Sequence, residues 1–424
     1  MRANLGNVEE VRMASRVGAN LPAVGGFNQA VILDAIRRAP EGISRVELAA
    51  RTGLSAQTVT NVSRRLLAGG VVREAGTVVA GVGKPRTLLQ LCPDGRFAVG
   101  VHLDPSVVSI VLLDLAGELL DHRVLDVDPA STAQHTLDEI AIETRAIIGA
   151  GRVLCERMLG VGIATPGPLL EESGTVLNPP LLPQWERIPV RDLLSDRVEL
   201  PVLLEKDVTA AAVAEQWVAD GNRENFAFVY YGTGIGFGLV LQNEVIRGAS
   251  GNAGDIGGFA VGHTDASGRS RPFGESVSPT AVVPRALAAG IRLATPAQRT
   301  GGFHLLDEFT ALVHAAESGE PQASVIVDQV IADLANSLVP VANLLDVDRF
   351  VFGGPFWAPL AGRALERLPR AFAQSPYLVG AHDVVFEESA VAADVAAIGA
   401  ACLVLDHALS PRPARMLLAH RVTV

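Results

Sequence analysis

Cysteine is nearly absent from this chain. Cys92, Cys155 and Cys402 are its three cysteines, far apart and without CxxC spacing, which excludes a disulfide framework and a thiolate metal site and implies a reducing compartment. Lysine is rarer still: Lys84 and Lys206 are the only two, so any grip on a polyanion has to come from arginine. Aromatic residues are 5% of the composition against 49% apolar residues overall, the profile of an Ala/Val/Leu-rich α/β protein and not of a disordered one. Long apolar runs are also missing. The run Val395 to Leu405 is hemmed by Asp394 and Asp406 and is too short to span a bilayer. The first residues carry Glu9 and Glu10 and no apolar h-region, so a signal peptide is not expected, and the expectation is a cytoplasmic protein with no membrane partner.

At 424 residues the chain calls for two or three domains. Its net charge of −11 argues against a nucleic-acid partner when taken as an average. The distribution reverses that argument. Residues 1–90 hold 12 Lys+Arg and 6 Asp+Glu, a net of +6, which leaves −17 for the remainder. A basic N-terminal module on an acidic body reads as one part that meets a polyanion and another that avoids it.

Helical spacing of Val31, Ile32, Ala35 and Ile36 predicts a first helix over 28–38, ended by Pro40-Glu41-Gly42. Ser44 and Glu47 form a capping box before a short second helix, and Gly53 suits the left-handed turn that ends it. Ser55 caps a third helix, Ala56 to Ala68, with Val59, Val62 and Leu66 on its buried stripe. Two short helices joined by a tight turn are a helix-turn-helix, whose second helix enters a major groove. Gln57, Thr58, Thr60 and Asn61 on that helix are suited to base edges, and Arg64 and Arg65 to phosphates. Ser44, Arg45 and Ser55, at the helix N-termini, are further candidate DNA contacts. After Gly69-Gly70, two β-prone pieces, 71–73 and 77–79, joined by Glu74-Ala75-Gly76, and a third strand, 87–91, enclose GVGKPR. That is a wing, with Lys84 and Arg86 at its tip suited to a minor groove. The bland alternative is a helical cap with solvated arginines, against which the cap, turn, polar face and basic wing all agree.

The pattern then changes to two apolar strands around Asp104-Pro105-Ser106, and again, from Asn225, to two apolar strands around a Gly-rich turn. Two such hairpins suggest an internally duplicated fold of two α/β lobes with a ligand cleft between them.

The motifs GLSAQTV, GVGKPR, ATPGPL (Ala164–Leu169), LNPPLLPQW (Leu177–Trp185), LLEKDVTAAAVAE (Leu203–Glu215), YGTGIGFG (Tyr231–Gly238), GNAGDIGG (Gly251–Gly258), NLLDVDRFVFGG (Asn343–Gly354) and AAIGAACLV (Ala396–Val404) follow one another in an order and spacing that resembles the ROK family (repressor, open reading frame, kinase), in its branch of regulators with a winged helix in front. The resemblance implies an α/β protein: an N-terminal winged helix-turn-helix followed by a two-lobed actin-like (ribonuclease H-like, hexokinase-type) domain. The expected division is a tail at 1–24, the winged helix at 25–92, a first lobe at 93–206 completed by a C-terminal helix at 391–410, and a second lobe at 207–390. By resemblance Asp207 matches the family's sugar-hydroxyl base or inducer acceptor, Asp255 its sugar-binding glutamate, and Glu275 a second sugar-contacting glutamate. From its position alone Asp207 also reads as a cap of the alanine-rich helix after it, and one residue can do both.

Three departures from the family shape the expectation. Where its kinases hold ATP phosphates on a DxGGT turn, this chain has Asp104-Pro105-Ser106-Val107-Val108. Proline offers no N–H and valine neither a close approach nor a hydroxyl, so no kinase activity is expected. The family's zinc ligands are replaced by Gly258 and a cysteine-free GRSRPFGES, so no metal and no cofactor is expected. Lys206 stands where asparagine is usual, which could pair with Asp207, draw in an anionic effector such as a phosphorylated sugar or sugar acid, or turn outward. The reading is a repressor of sugar uptake or metabolism genes. It binds a double-stranded DNA operator as a homodimer or higher homo-oligomer and is controlled by a sugar or sugar-derivative effector through Lys206, Asp207, Asp255 and Glu275. The rivals are an active sugar kinase with an accessory DNA-binding domain, and a regulator that needs no effector.

Overall fold

Ser44 organises the start of the chain. A computed structural model describes residues 21–78, 85–105, 107–126, 131–151, 153–179, 181–218, 223–264, 270–293, 302–380, 382–391 and 394–409, and it divides between Leu91 and Cys92 into a small N-terminal unit and a larger one, Cys92–Ala408. In the small unit α1 (Leu21–Arg37) is followed by β1 (Ile43–Ser44), α2 (Arg45–Thr52), α3 (Ala56–Ala68), β2 (Val72–Val78) and β3 (Arg86–Leu91). The Ser44 hydroxyl accepts from the Glu47 N–H, and the Glu47 carboxylate accepts from the Ser44 N–H, which makes the capping box reciprocal. Gly53 ends α2 at φ 70°, and Ser55 caps α3 through the Thr58 N–H. Ile32, Leu33, Ile36, Leu48, Val59, Val62, Leu66, Val72 and Leu89 close the core between the three helices and the sheet.

Two features of this unit differ from the sequence expectation. Helix α1 already begins at Leu21, inside the segment expected as a tail; residues 1–20 lie outside the described residues. The two β-prone pieces after Gly70 are one strand, because Glu74-Ala75-Gly76 is absorbed as a bulge, with Glu74 paired to Leu89 and Thr77 to Thr87 and Gly76 at φ 124°. The third strand of the sheet is β1, paired to β3 in the order β1-β3-β2.

In the larger unit, β4 (Phe97–Leu103), β5 (Val107–Asp114) and β6 (Leu119–Asp126) form an antiparallel meander, followed by α4 (Ala133–Ala150) and β7 (Met158–Thr165). After the hairpin of β8 (Leu169–Leu170) and β9 (Thr175–Val176) come α5 (Val190–Val198), β10 (Val202–Lys206) and α6 (Asp207–Val218). Strands β7 and β10 extend the meander in parallel, giving the order β10-β7-β4-β5-β6. The pattern then repeats. A second meander of β11 (Phe226–Tyr231), β12 (Ile235–Leu241) and β13 (Glu244–Ile246) leads through the hairpin of β14 (Ala260–Thr264) and β15 (Ser270–Pro272) to four helices, α7 (Phe273–Val277), α8 (Pro279–Ala288), α9 (Gly302–Glu317) and α10 (Pro321–Leu345). Strand β16 (Arg349–Gly353), α11 (Trp357–Ala373), β17 (Val385–Glu388) and α12 (Val395–Leu409) complete the chain, and β16 and β17 add in parallel to give β13-β12-β11-β16-β17. Two sheets with one strand plan are the duplication that the paired hairpins announced.

The lobes are filled differently. The first core is largely aliphatic, with Val99, Val101, Ile110 and Leu112 against Leu137, Ile140 and Leu194, and takes in Phe97 and Trp185. The second gathers the chain's few aromatics: Phe352 stacks on Trp357 with centroids 4.5 Å apart, and Phe350, Phe372 and Phe386 meet beside them. Helix α10 is long and apolar enough by length and composition to cross a bilayer, but 61% of its most apolar stretch is buried in this core. Helix α12 lies directly on the first sheet because that sheet offers glycine. A Cβ at Gly162 would fall 1.9 Å from the Ala400 carbonyl oxygen, and one at Gly399 would fall 1.8 Å from that of Ala210 in α6.

Candidate functional site

Helix α3 turns Val59, Val62 and Leu66 inward and leaves Gln57, Asn61, Arg64 and Arg65 exposed. Gln57 donates to Asn61 at 3.3 Å, so the two amides pre-orient one another on the outer face. Thr58 shares a hydroxyl bond with Ser55 at 2.9 Å, and Thr60 donates to the Ala56 carbonyl at 2.7 Å; each hydroxyl keeps acceptor capacity. Arg86 is exposed at the start of β3, opposite Val78. Lys84 lies outside the described residues. One expected contact is corrected: Ser44 is 2% exposed and its hydroxyl and N–H both serve the capping box, so it is a cap and not a DNA contact. Arg45 is half-buried and paired with Glu74 on β2 at 3.0 Å.

The larger unit has a cleft between the two sheets, and it opens where strands end. Asp104 and Pro105 follow β4, Pro166 and Gly167 follow β7, Lys206 ends β10, Asp207 and Val208 begin α6, and Tyr230 and the Gly234–Gly236 turn come from β11 and β12. Gly254 and Asp255 close the rim. Asp255 is placed there by Gly254, whose φ of 85° and approach to the Phe237 carbonyl, 1.7 Å from a built Cβ, exclude any side chain.

Asp207, the first residue of α6, is 9% exposed, accepts from the Val208 N–H at 2.7 Å and lines the cleft. Burial raises its pKa, against the charge of His102, the Val208 hydrogen bond and the charge of Lys206, all of which lower it; Asp104 adds to the rise. Lys206 is buried, and its ammonium donates to the carbonyls of Asn252 and Ala253 at 3.4 Å each. It is neither turned outward nor hydrogen-bonded to Asp207. Asn252 in turn clamps Leu169, accepting from its N–H at 2.7 Å and donating to its carbonyl at 2.8 Å, which fixes the loop that receives Lys206. Glu275 is corrected: it is exposed on α7 and does not line the cleft, because Phe273, Ser276 and Val277 take the inward face of that single turn.

Three cleft features escaped the sequence. Thr233 donates to Asp104 at 2.7 Å across 129 positions, joining the turns of the two lobes. Tyr230 and His102 lie edge to face beside Asp207, each in a strand that reads as plain core. A histidine between Val101 and Leu103 was the available signal. The residues present do not fit the zinc that the family resemblance implies. No cysteine lies between Gly251 and Ser276, and Cys92, Cys155 and Cys402 belong to the stretch before β4, the turn before β7 and α12.

The comparisons agree with this geometry. Residues 98–407 match the ROK family model, and residues 31–73 match a winged helix-turn-helix DNA-binding model. A xylose repressor of Caldicellulosiruptor bescii is 23% identical over 87% of this chain and 93% of its own length. A glucokinase of Halalkalibacterium halodurans is 24% identical over 61% of this chain and 80% of its own. The crystal structure of a ROK family transcriptional regulator, a homologue of the E. coli MLC protein, superposes with a TM-score of 0.73 at 21% identity, covering 93% of this chain and 98% of that one. With two sheets of one plan, a cleft at their strand ends and a family match over most of its length, the chain belongs to the ROK family and carries a winged helix-turn-helix in front of the ROK domain.

Proposed function

We propose that this protein is a cytoplasmic, sugar-responsive transcription repressor that binds a paired half-site operator as a homodimer or higher homo-oligomer and does not transfer phosphate. The exposed row of Gln57, Asn61, Arg64 and Arg65 on a capped recognition helix is the observation that carries the DNA-binding part. The similarity to a xylose repressor over most of both chains supports repression and a sugar effector.

The turn after β4 supports the loss of kinase activity: it keeps the aspartate of the kinases' DxGGT turn as Asp104, which accepts from the Thr233 hydroxyl, but Val107 and Val108 stand where glycine and threonine would meet a phosphate. Pro105 beside Asp104 has no N–H to offer. A coupled ADP-release assay with D-xylose and D-glucose checks this, and turnover above background with either sugar overturns it.

The charges favour a neutral effector over the anionic one that Lys206 first suggests. Asp104, Asp207 and Asp255 line the cleft against the single ammonium of Lys206, and that ammonium already faces two carbonyls. A sugar phosphate or acid would enter a site of net negative charge. Footprinting of DNA upstream of neighbouring sugar genes, with and without neutral monosaccharides, tests the whole reading. Protection that sugar changes is expected; no preference for any fragment over bulk competitor would sink it.

A further inference from the structure

Two polar atoms beneath the cleft have no partner among the described residues. Tyr230 lines the cleft, is 3% exposed, and its hydroxyl makes no hydrogen bond. His102, 5% exposed, meets its ring edge to face with centroids 5.9 Å apart, and His102 Nε2 is also unbonded. Buried donors without acceptors are rare because each forfeits its hydration, and this one belongs to a residue that lines the cleft. Burial and the carboxylates of Asp104, Asp207 and Asp394 push the pKa of Tyr230 well up, so its proton stays in place and the group can donate. Asp207 beside it uses Oδ1 for the Val208 N–H, and its other oxygen accepts nothing from the described residues.

We propose that Tyr230 is a specificity-determining contact of the effector, its hydroxyl donating to one oxygen of a vicinal diol whose neighbouring hydroxyl donates to Asp207. The inference rests on the effector reading above and narrows it. The site selects ligands that present an acceptor and a donor on adjacent carbons, and it rejects deoxy analogues that leave Tyr230 unsatisfied.

The test is Tyr230→Phe in the full-length protein, which removes one oxygen and keeps the ring against His102. Calorimetry and thermal shift are run on both proteins with D-xylose, D-glucose, N-acetyl-D-glucosamine and 2-deoxy-D-glucose. The expected result is a loss of about tenfold or more in affinity for whichever sugar binds the wild type, with a melting temperature of the sugar-free variant equal to or above that of the wild type, since an unsatisfied hydroxyl is gone. A variant that binds within about twofold of the wild type overturns the proposal. So does a sugar-free variant that melts several degrees lower, which would assign the hydroxyl a structural role. A wild type that responds to none of the sugars overturns the effector reading itself and this inference with it, and that failure is told apart because it appears before any substitution is made.

Discussion

Asp207 holds a carboxylate where burial disfavours its charge. Its raised pKa fixes the sign of a pH dependence. The native state keeps a proton that the unfolded chain has already released, so stability from this group is present below the ordinary aspartate range and is lost as pH rises toward the folded value. Asp207→Asn removes that loss. Near neutral pH the variant is expected to melt about 2 °C higher than the wild type, with the gap closing as pH falls through the carboxylate range, while sugar no longer shifts its melting temperature. Equal melting curves at all pH values would mean that the charge is compensated after all. Thr233→Val probes the neighbouring contact. Loss of a hydrogen bond to a carboxylate that is 4% exposed should lower the stability of the larger unit by about 1–3 kcal/mol in denaturant titrations, without creating ADP release.

At the scale of elements, α2 and α3 were legible because their ends are written locally: Ser44 with Glu47, Gly53, and Ser55 each act within four residues. Strand β1 was not, since two residues ahead of a helix carry no strand signature and it exists only through pairing with Leu88 and Leu89. Glu74-Ala75-Gly76 looked like a turn because a bulge and a turn use the same residues, and the partner strand decides between them. In the cleft, Asp207 and Asp255 were found through motif strings, whereas the Asp104 to Thr233 bond joins turns more than a hundred residues apart and no local pattern encodes it. The same locality allows sharp tests of the small unit. Ser44→Ala removes the hydroxyl that accepts from the Glu47 N–H while the backbone N–H to the Glu47 carboxylate remains, and should cost about 1 kcal/mol of that unit's stability, read by its own unfolding transition. Arg64→Ala and Arg65→Ala should each weaken binding to specific and random DNA alike and lower the slope of log affinity against log salt by about one per copy bound. A loss confined to one base pair would move either arginine from phosphate to base readout.

For the whole molecule the governing fact is that one chain joins a unit of net +6 over residues 1–90 to a remainder of −17. An acidic larger unit repels phosphate, so we expect DNA affinity to come from the arginines of the small one and to fall steeply with salt. What the body adds is coupling. If sugar in the cleft changes operator affinity by some factor, operator must change sugar affinity by the same factor, because both measure one free energy between the same four states. A coupling of 1–3 kcal/mol, about 5- to 150-fold, is the usual range for such links. We expect the two factors to agree when sugar affinity is measured by calorimetry with and without saturating operator, and operator affinity by anisotropy with and without saturating sugar, at one salt concentration. In Tyr230→Phe the coupling factor is expected to persist at sugar concentrations raised to saturation, as it does for any contact whose loss weakens binding to both states equally. Agreement in the wild type with no coupling in the saturated variant would instead make Tyr230 part of the transmission between cleft and DNA.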